Sequence, residues 1–180
     1  GSPISYWASK KIYQTFTENN SLDRFIETRE GLTTGSNDLF MRCWHEVNIK
    51  SVGFSYKKSK ETYDGNHAWF PYVKGGPFRR WYGNLEYLVN WYKDGKLLKD
   101  FKDEKTGRIR SHNYNGKFAF KTGFTWSGIS SGGFSVRHVP EGFKFDAKGP
   151  MGFAINHENL EIIEGLLNSN FTSEILKILA

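Results

Sequence analysis

Residues 117–155 read KFAFKTGFTWSGISSGGFSVRHVPEGFKFDAKGPMGFAI. Rings recur in short bursts, at Phe118, Phe120, Phe124, Trp126, Phe134, Phe143, Phe145 and Phe153. Glycines cut the run at Gly123, Gly132-Gly133, Gly142 and Gly149-Pro150. Bursts of this length between glycine turns read as several short strands. Beyond Asn159 the period changes: Leu160, Ile163 and Leu167, then Phe171, Ile175, Leu176 and Leu179, fall at helical spacing. On the N-terminal side, residues 25–30, 39–47, 68–73 and 85–91 read as further strands. A polar loop spans residues 33–38, and the third of those strands runs into the turn Lys74-Gly75-Gly76-Pro77. Residues 57–63 are weakly helical. Ser2-Pro3 opens a helix with proline at the first helical position, carrying Ile4, Trp7, Ala8, Ile12 and Phe16 to Glu18 before Asn19-Asn20.

The pattern predicts a mixed α/β (α+β) build: a single domain, with a twisted sheet of short strands flanked by N- and C-terminal helices. Residues 1–20 form the leading helix and residues 21–180 the domain. No repeat, low-complexity tract or Pro/Ser-rich linker divides them. At 180 residues such a domain buries roughly 70% of its unfolded surface. Aromatic residues make up 17% of the chain and all hydrophobic residues only 38%, so rings lead the core and some remain outside for contact. The one cysteine, Cys43, forms no internal disulfide or Cys-based zinc site and reads as a buried thiol. No apolar run approaches the 18 residues a membrane span needs, and no basic-then-apolar leader is present, so a soluble cytoplasmic location is expected, with no membrane partner.

The formal net charge of +6 is local. Residues 74–122 hold twelve Lys and Arg against five Asp and Glu, an excess of seven, while the rest of the chain is one negative. Trp81, Tyr82, Tyr87, Trp91, Tyr92 and Tyr114 interleave with these bases, as do Asn84, Asn90, Asn113 and Asn115. Arginines that grip phosphate or a guanine edge, and amides that read adenine, make a nucleic-acid palette. The plainer reading is a solvated basic face, and residues 93–105, with alternating signs, fit it as an exposed hairpin or short helix.

Catalytic motifs are weak. Gly128-Ile129-Ser130-Ser131-Gly132 matches a nucleophile elbow, but that motif needs a strand turning into a helix, and Phe134-Ser135-Val136-Arg137 reads as a strand. The five histidines are scattered, with no zinc-like spacing. Asp146 and His138 form a triad only on paper. Gly75-Gly76 is not a Walker loop, and no G-x-G-x-x-G follows a strand.

Longer strings carry more. Gly31-Leu32-Thr33-Thr34-Gly35-Ser36-Asn37-Asp38-Leu39-Phe40-Met41-Arg42, Trp69-Phe70-Pro71-Tyr72, Phe78-Arg79-Arg80-Trp81-Tyr82-Gly83-Asn84, Arg108-Ile109-Arg110-Ser111-His112-Asn113-Tyr114, Thr125-Trp126-Ser127 and Leu166-Leu167-Asn168-Ser169 together resemble the PglX family of adenine-specific DNA methyltransferases, from BREX phage-defence systems. Similar loops and a similar Leu-Leu-Asn-Ser helix occur in target-recognition domains of single-chain restriction–methyltransferases. The family's Asn-Pro-Pro-Tyr motif and its glycine-rich site for S-adenosylmethionine are absent from the sequence. The resemblance therefore implies a target-recognition domain that reads DNA, joined through residues 1–20 to a methyltransferase domain outside this chain. It implies no cofactor here, S-adenosylmethionine in the parent's other domain, and double-stranded DNA as partner, with other defence-system proteins as further partners.

Arg79 and Arg80, on the loop that starts at Lys74, are the first candidate DNA contacts, the alternative being an ion pair of one with an acid such as Glu86. Arg108 and Arg110 alternate and so share a face on a strand; with Asn113 and Tyr114 they form the second. Lys74, Tyr82 and Lys121 complete the set of candidate DNA contacts. Asn37, in a turn, hydrogen-bonds its own backbone in the commoner arrangement. Trp126, Phe143 and Phe145 are expected in the core. Two rival readings remain: a protein-interaction or scaffold domain whose basic face meets an acidic partner, and a carbohydrate-binding module.

Overall fold

Strands form where rings and β-branched residues cluster between turns, and helices where the apolar period lengthens at the C-terminal end. The computed structural model describes residues 9–128 and 132–179. In chain order these hold α1 (Lys10–Glu18), β1 (Ile26–Arg29), β2 (Leu32–Thr33), α2 (Asn37–Phe40), β3 (Met41–Cys43), α3 (Glu61–Asp64), β4 (Trp69–Val73) and β5 (Tyr87–Asn90). Next come α4 (Tyr92–Lys99), β6 (His112–Asn113), β7 (Gly123–Trp126), β8 (Val136–Val139), β9 (Lys144–Phe145), β10 (Met151–Ala154), α5 (Leu160–Leu167) and α6 (Asn170–Leu179).

The mixed α/β class is as expected, but the strands divide among three sheets instead of one. The first has the order β1-β10-β7-β8 and is antiparallel throughout. The second, β3-β5-β4-β9, is antiparallel except where β9 runs parallel to β4. β2 and β6 make a two-stranded ladder. Three apolar clusters explain the division. Phe124 and Val136 of the first sheet pack under Leu160, Ile163 and Leu167 of α5. Val139, Met151 and Phe153 of the same sheet meet Val73 and Phe145 of the second, with Phe118. Phe70, Tyr72 and Val89 join Leu32, Phe40, Trp91, Leu98 and Phe120 in the third. β10 sits close enough to β7 that the Phe124 ring lies where a side chain at Gly152 would be.

Several boundaries differ from the sequence pattern. The strand expected over residues 39–47 shortens to β3, because Phe40 completes a helical turn and the Glu46 carboxylate accepts from Cys43 N at 2.6 Å, closing a 3-10 turn at Trp44–Glu46. Cys43 is accordingly half-buried, not buried. The helical tendency near residues 57–63 is realised as α3, where Glu61 accepts from the amides of Lys57 and Lys58 at 2.9 and 3.2 Å. Phe145 is buried, and Trp126 and Phe143 pack against the core as expected. The start of the leading helix, with Trp7, lies outside the described residues, as does the middle of the Gly128–Gly132 motif. That motif leads into a strand, β8. Asp146 and His138 do not meet: the first pairs with Tyr72 and Lys74, the second with Glu164 at 2.9 Å.

Candidate nucleic-acid interface

Residues 74–84 leave β4 and return to β5 as a loop docked on the β7–β8 hairpin. Trp81 N donates to Val136 O at 3.0 Å and His138 N to Trp81 O at 2.8 Å, so Trp81 pairs with the outer edge of β8. Ser135 Oγ donates to Arg79 O at 2.9 Å, and Asn84 Nδ2 to Pro77 O at 3.0 Å. Trp81 and Asn84 hold φ of +68° and +59°, a conformation these anchors impose. The result is a fixed crest with Arg79 and Arg80 exposed beside Trp81 (55% exposed) and Tyr82 (68%). Among the described residues no carboxylate lies within 4.0 Å of either arginine. Arg80 instead lies 5.7 Å from the Phe78 ring centroid.

The second segment starts on a hairpin. Asp103 N donates to Arg108 O at 2.8 Å and Arg110 N to Phe101 O at 2.9 Å, which holds Arg108 and Arg110 exposed, the latter 5.5 Å from the Phe101 ring. β6 then carries His112 and Asn113 against Thr33 and Leu32. His112 stacks on Tyr114 at 5.4 Å, and Asn113 and Tyr114 are exposed. The neighbouring Thr34 Oγ1 donates to Asn37 Oδ1 at 2.9 Å, so the partner of Asn37 is a side chain where the turn pattern pointed to its own backbone.

One turn joins the two segments. After β9, Asp146 N donates to Val73 O at 2.9 Å and Ala147 N to Leu32 O at 3.1 Å. The Asp146 carboxylate accepts from Tyr72 Oη at 2.5 Å and Lys148 N at 2.6 Å, and lies 3.7 Å from Lys74 Nζ. Burial, with the Asp146 charge and hydrogen bond, pushes the Tyr72 phenol well above its usual value. Lys74 is therefore held in an ion pair at the joint, between the loop that carries Arg79 and Arg80 and the ladder that carries Asn113. Lys121 sits at another ring. It stands 5.0 Å from the Phe118 ring, which Arg29 and Lys117 also approach, at 4.9 and 5.3 Å.

Part of the basic excess is cancelled locally. Lys96 pairs with Asp100 and Lys99 with Asp94, at 2.8 and 2.7 Å, in the stretch whose alternating signs mark it as a solvated face. Sequence reasoning passed over Arg29, Lys117 and, above all, Arg137. Arg137 lies on β8, wholly buried, with Nη2 3.3 Å from Ser127 Oγ and with Nε and Nη1 unpartnered. Burial pushes its proton affinity down and the Glu86 carboxylate opposes this, so the charge of Glu86 acts on Arg137. The strand's alternation does not announce this burial, since Arg137 shares its face with Ser135 as well as Val139.

Among the described residues no three His, Cys, Asp or Glu side chains are grouped to hold a metal ion, and no helix is long and apolar enough to cross a membrane. A cavity of about 620 Å³ is lined by His138, His157, Glu141, Glu158 and Glu161 with Thr122, Pro140 and Leu160, well supplied with acids and away from both arginine segments.

No protein-family model matches the chain. Among curated proteins, it is 49% identical over 181 aligned positions to the adenine-specific methyltransferase PglX of Lacticaseibacillus casei (strain Zhang), an alignment covering 100% of this chain and 15% of that protein. It is 37% identical over 174 positions to the adenine-specific methyltransferase BrxX of Escherichia coli O9:H4 (strain HS), covering 95% of this chain and 13% of that protein. From end to end, the chain thus matches one segment, 13–15% of the length, of the PglX and BrxX adenine-specific methyltransferases.

Proposed function

We propose that this chain is a DNA sequence-recognition domain of an adenine-specific DNA methyltransferase acting in phage defence. It docks on duplex DNA and positions the target adenine for a catalytic domain outside this chain, which flips the base and holds S-adenosylmethionine. The observation that carries the reading is the crest: two arginines without carboxylate partners among the described residues, flanked by exposed Trp81 and Tyr82, on a loop fixed by hydrogen bonds to its neighbours and across itself. Unpaired arginines on a rigid support suit phosphate contact and base-edge reading. Arg108, Arg110, Asn113 and Tyr114 supply a second contact line, and Lys121, with Arg29 and Lys117, a third.

Fluorescence anisotropy of the 180-residue chain with labelled duplex DNA across a salt series tests this. Binding should weaken steeply with salt. Arg79→Ala/Arg80→Ala should lower affinity about tenfold or more and make the log–log salt slope shallower by about 2, one for each phosphate no longer neutralised. A protein-interaction role has its own observation: Ile162 and Leu166 of α5 and Phe171 of α6 are exposed, an apolar face suited to another protein surface. DNA binding that ignores both sequence and the double substitution would favour that second reading.

A further inference from the structure

Arg137 has no exposed surface, yet two nitrogens of its guanidinium meet no acceptor, and no carboxylate lies within 4.0 Å of it among the described residues. A buried cation left unpaired is destabilising, and an unsatisfied buried donor calls for an explanation, such as a ligand that completes it. The surroundings indicate which ligand. The single hydrogen-bond partner of the guanidinium, Ser127 Oγ, accepts from Gly76 N at 3.1 Å and donates to Gly76 O at 2.8 Å. Beside it, Gly75 and Gly128 border the Lys148 carbonyl, where a Cβ on either would stand 3.4 or 3.5 Å from that oxygen. On its Ser127 side the guanidinium thus borders two stretches of backbone, Gly75-Gly76 and Ser127-Gly128, that carry almost no side chain. Such a border can part with little repacking. A planar fork of N–H donors beside a hydroxyl matches the oxygens of a phosphate.

We propose that the seam between Gly75-Gly76 and Ser127-Gly128 is a seat for one backbone phosphate of DNA, with Arg137 as its charged donor and Ser127 as its hydroxyl. This rests on the DNA-binding reading above and adds a phosphate site outside the exposed crest. The seat is closed in this structure. Opening it breaks the two Ser127–Gly76 hydrogen bonds, which frees Ser127 Oγ for the phosphate and uncovers Nε and Nη1 of Arg137. Because Gly76 leads directly into the crest, occupancy of the seat also sets the position of Arg79 and Arg80.

The test is Arg137→Met in the 180-residue chain, which keeps side-chain volume and removes the charge. With labelled duplex DNA, the salt slope should become shallower by about 1 and affinity should fall about tenfold, while the melting temperature without DNA stays level or rises. A folded Arg137→Met protein with unchanged slope and affinity overturns the proposal, even where Arg79→Ala/Arg80→Ala weakens binding and the DNA reading stands. Should Arg137→Met fail to fold, Arg137→Lys keeps charge and loses the fork: several-fold weaker DNA binding at unchanged melting temperature supports the seat, and unchanged binding overturns it. Should the wild-type chain bind no DNA, its melting is followed in inorganic phosphate against chloride at matched ionic strength. A phosphate-specific rise that Arg137→Lys lacks keeps the seat and discards the DNA reading, and no such rise discards both.

Discussion

Lys144 shows what burial does to one side chain. It is wholly enclosed, with Nζ 3.3 Å from the centroid of the Trp91 ring and 5.5 Å from that of Phe120. The ring face attracts the ammonium and offsets part of the lost hydration. Desolvation still dominates, and the lysine is pushed down from 10.5 to about 7, with the Asp94 carboxylate opposing the fall. Between pH 7 and 10.5 the unfolded chain therefore holds a proton that the folded one has released. Stability rises with pH through that window, and below about 7 the burial penalty is fully present. Tyr72 works the other way only above pH 10, because its folded value is raised. Urea unfolding at pH 7 and pH 9 should show a more stable wild type at pH 9. Lys144→Met should remove that difference and add about 1–3 kcal/mol at pH 7. Wild-type stability that falls between those two values would sink the account.

At the scale of elements, α4 departs furthest from anything its sequence announces. Its first turn is left-handed, with φ of +51°, +56° and +71° at Lys93, Asp94 and Gly95. Isolated non-glycine residues avoid this region. Here the Asp94 carboxylate accepts from Ser59 Oγ, Trp91 Nε1 and Lys99 Nζ, at 2.7, 3.2 and 2.7 Å, which ties the turn down from α3's side and from both of its own ends. Burial alone would raise the Asp94 carboxyl, but the hydrogen bonds from Lys99 and Ser59 hold it below its usual value. A methyl on Gly95 would stand 2.5 Å from the Trp91 ring as well as strain the backbone. Gly95→Ala should therefore lower stability by about 2–3 kcal/mol, read by thermal melting. A loss under about 0.5 kcal/mol would show the turn to be dispensable. The contrast with β4 and β5 explains what the sequence makes legible. Those strands declare themselves through consecutive rings and β-branched residues, a local signal. The α4 turn depends on Ser59, far away in the chain, and Arg137 is buried by a loop that precedes β8 by more than fifty positions. Arg79, Arg80, Arg108 and Arg110 were legible as exposed bases, because on the surface residue type is the whole signal. For Lys74, also expected as a DNA contact, the ion pair with Asp146 was not legible, since it exists only once β9 lies beside β4.

Across the whole molecule, the cluster between the two large sheets makes them interdependent. Phe145 of β9 and Phe153 of β10 pack ring against ring at 5.7 Å, and Phe118 closes on Phe153 at 4.9 Å. Phe145→Ala should cost about 3–5 kcal/mol, and both sheets should be lost in one transition, with far-ultraviolet circular dichroism and tryptophan fluorescence melting together. Separate midpoints for the two signals would mean that the sheets are independent units. The basic excess lies mainly outside this shared core, so removing charge from the crest should leave melting nearly unchanged while altering salt-dependent association.

The pairing of β1 with β10 has a consequence in time. Ile26 finds its partner in Ala154, and Arg29 in Met151. A chain emerging from the ribosome must carry β1 unpaired through almost all of this segment's synthesis, until the strand that completes the sheet has cleared the exit. Partners so distant in sequence make for slow closure, and β1 and β7 would meanwhile offer bare edges to neighbouring nascent chains. A polypeptide released before Met151 would keep those edges for good, and would reach the cell as an aggregating product in place of a shorter working domain.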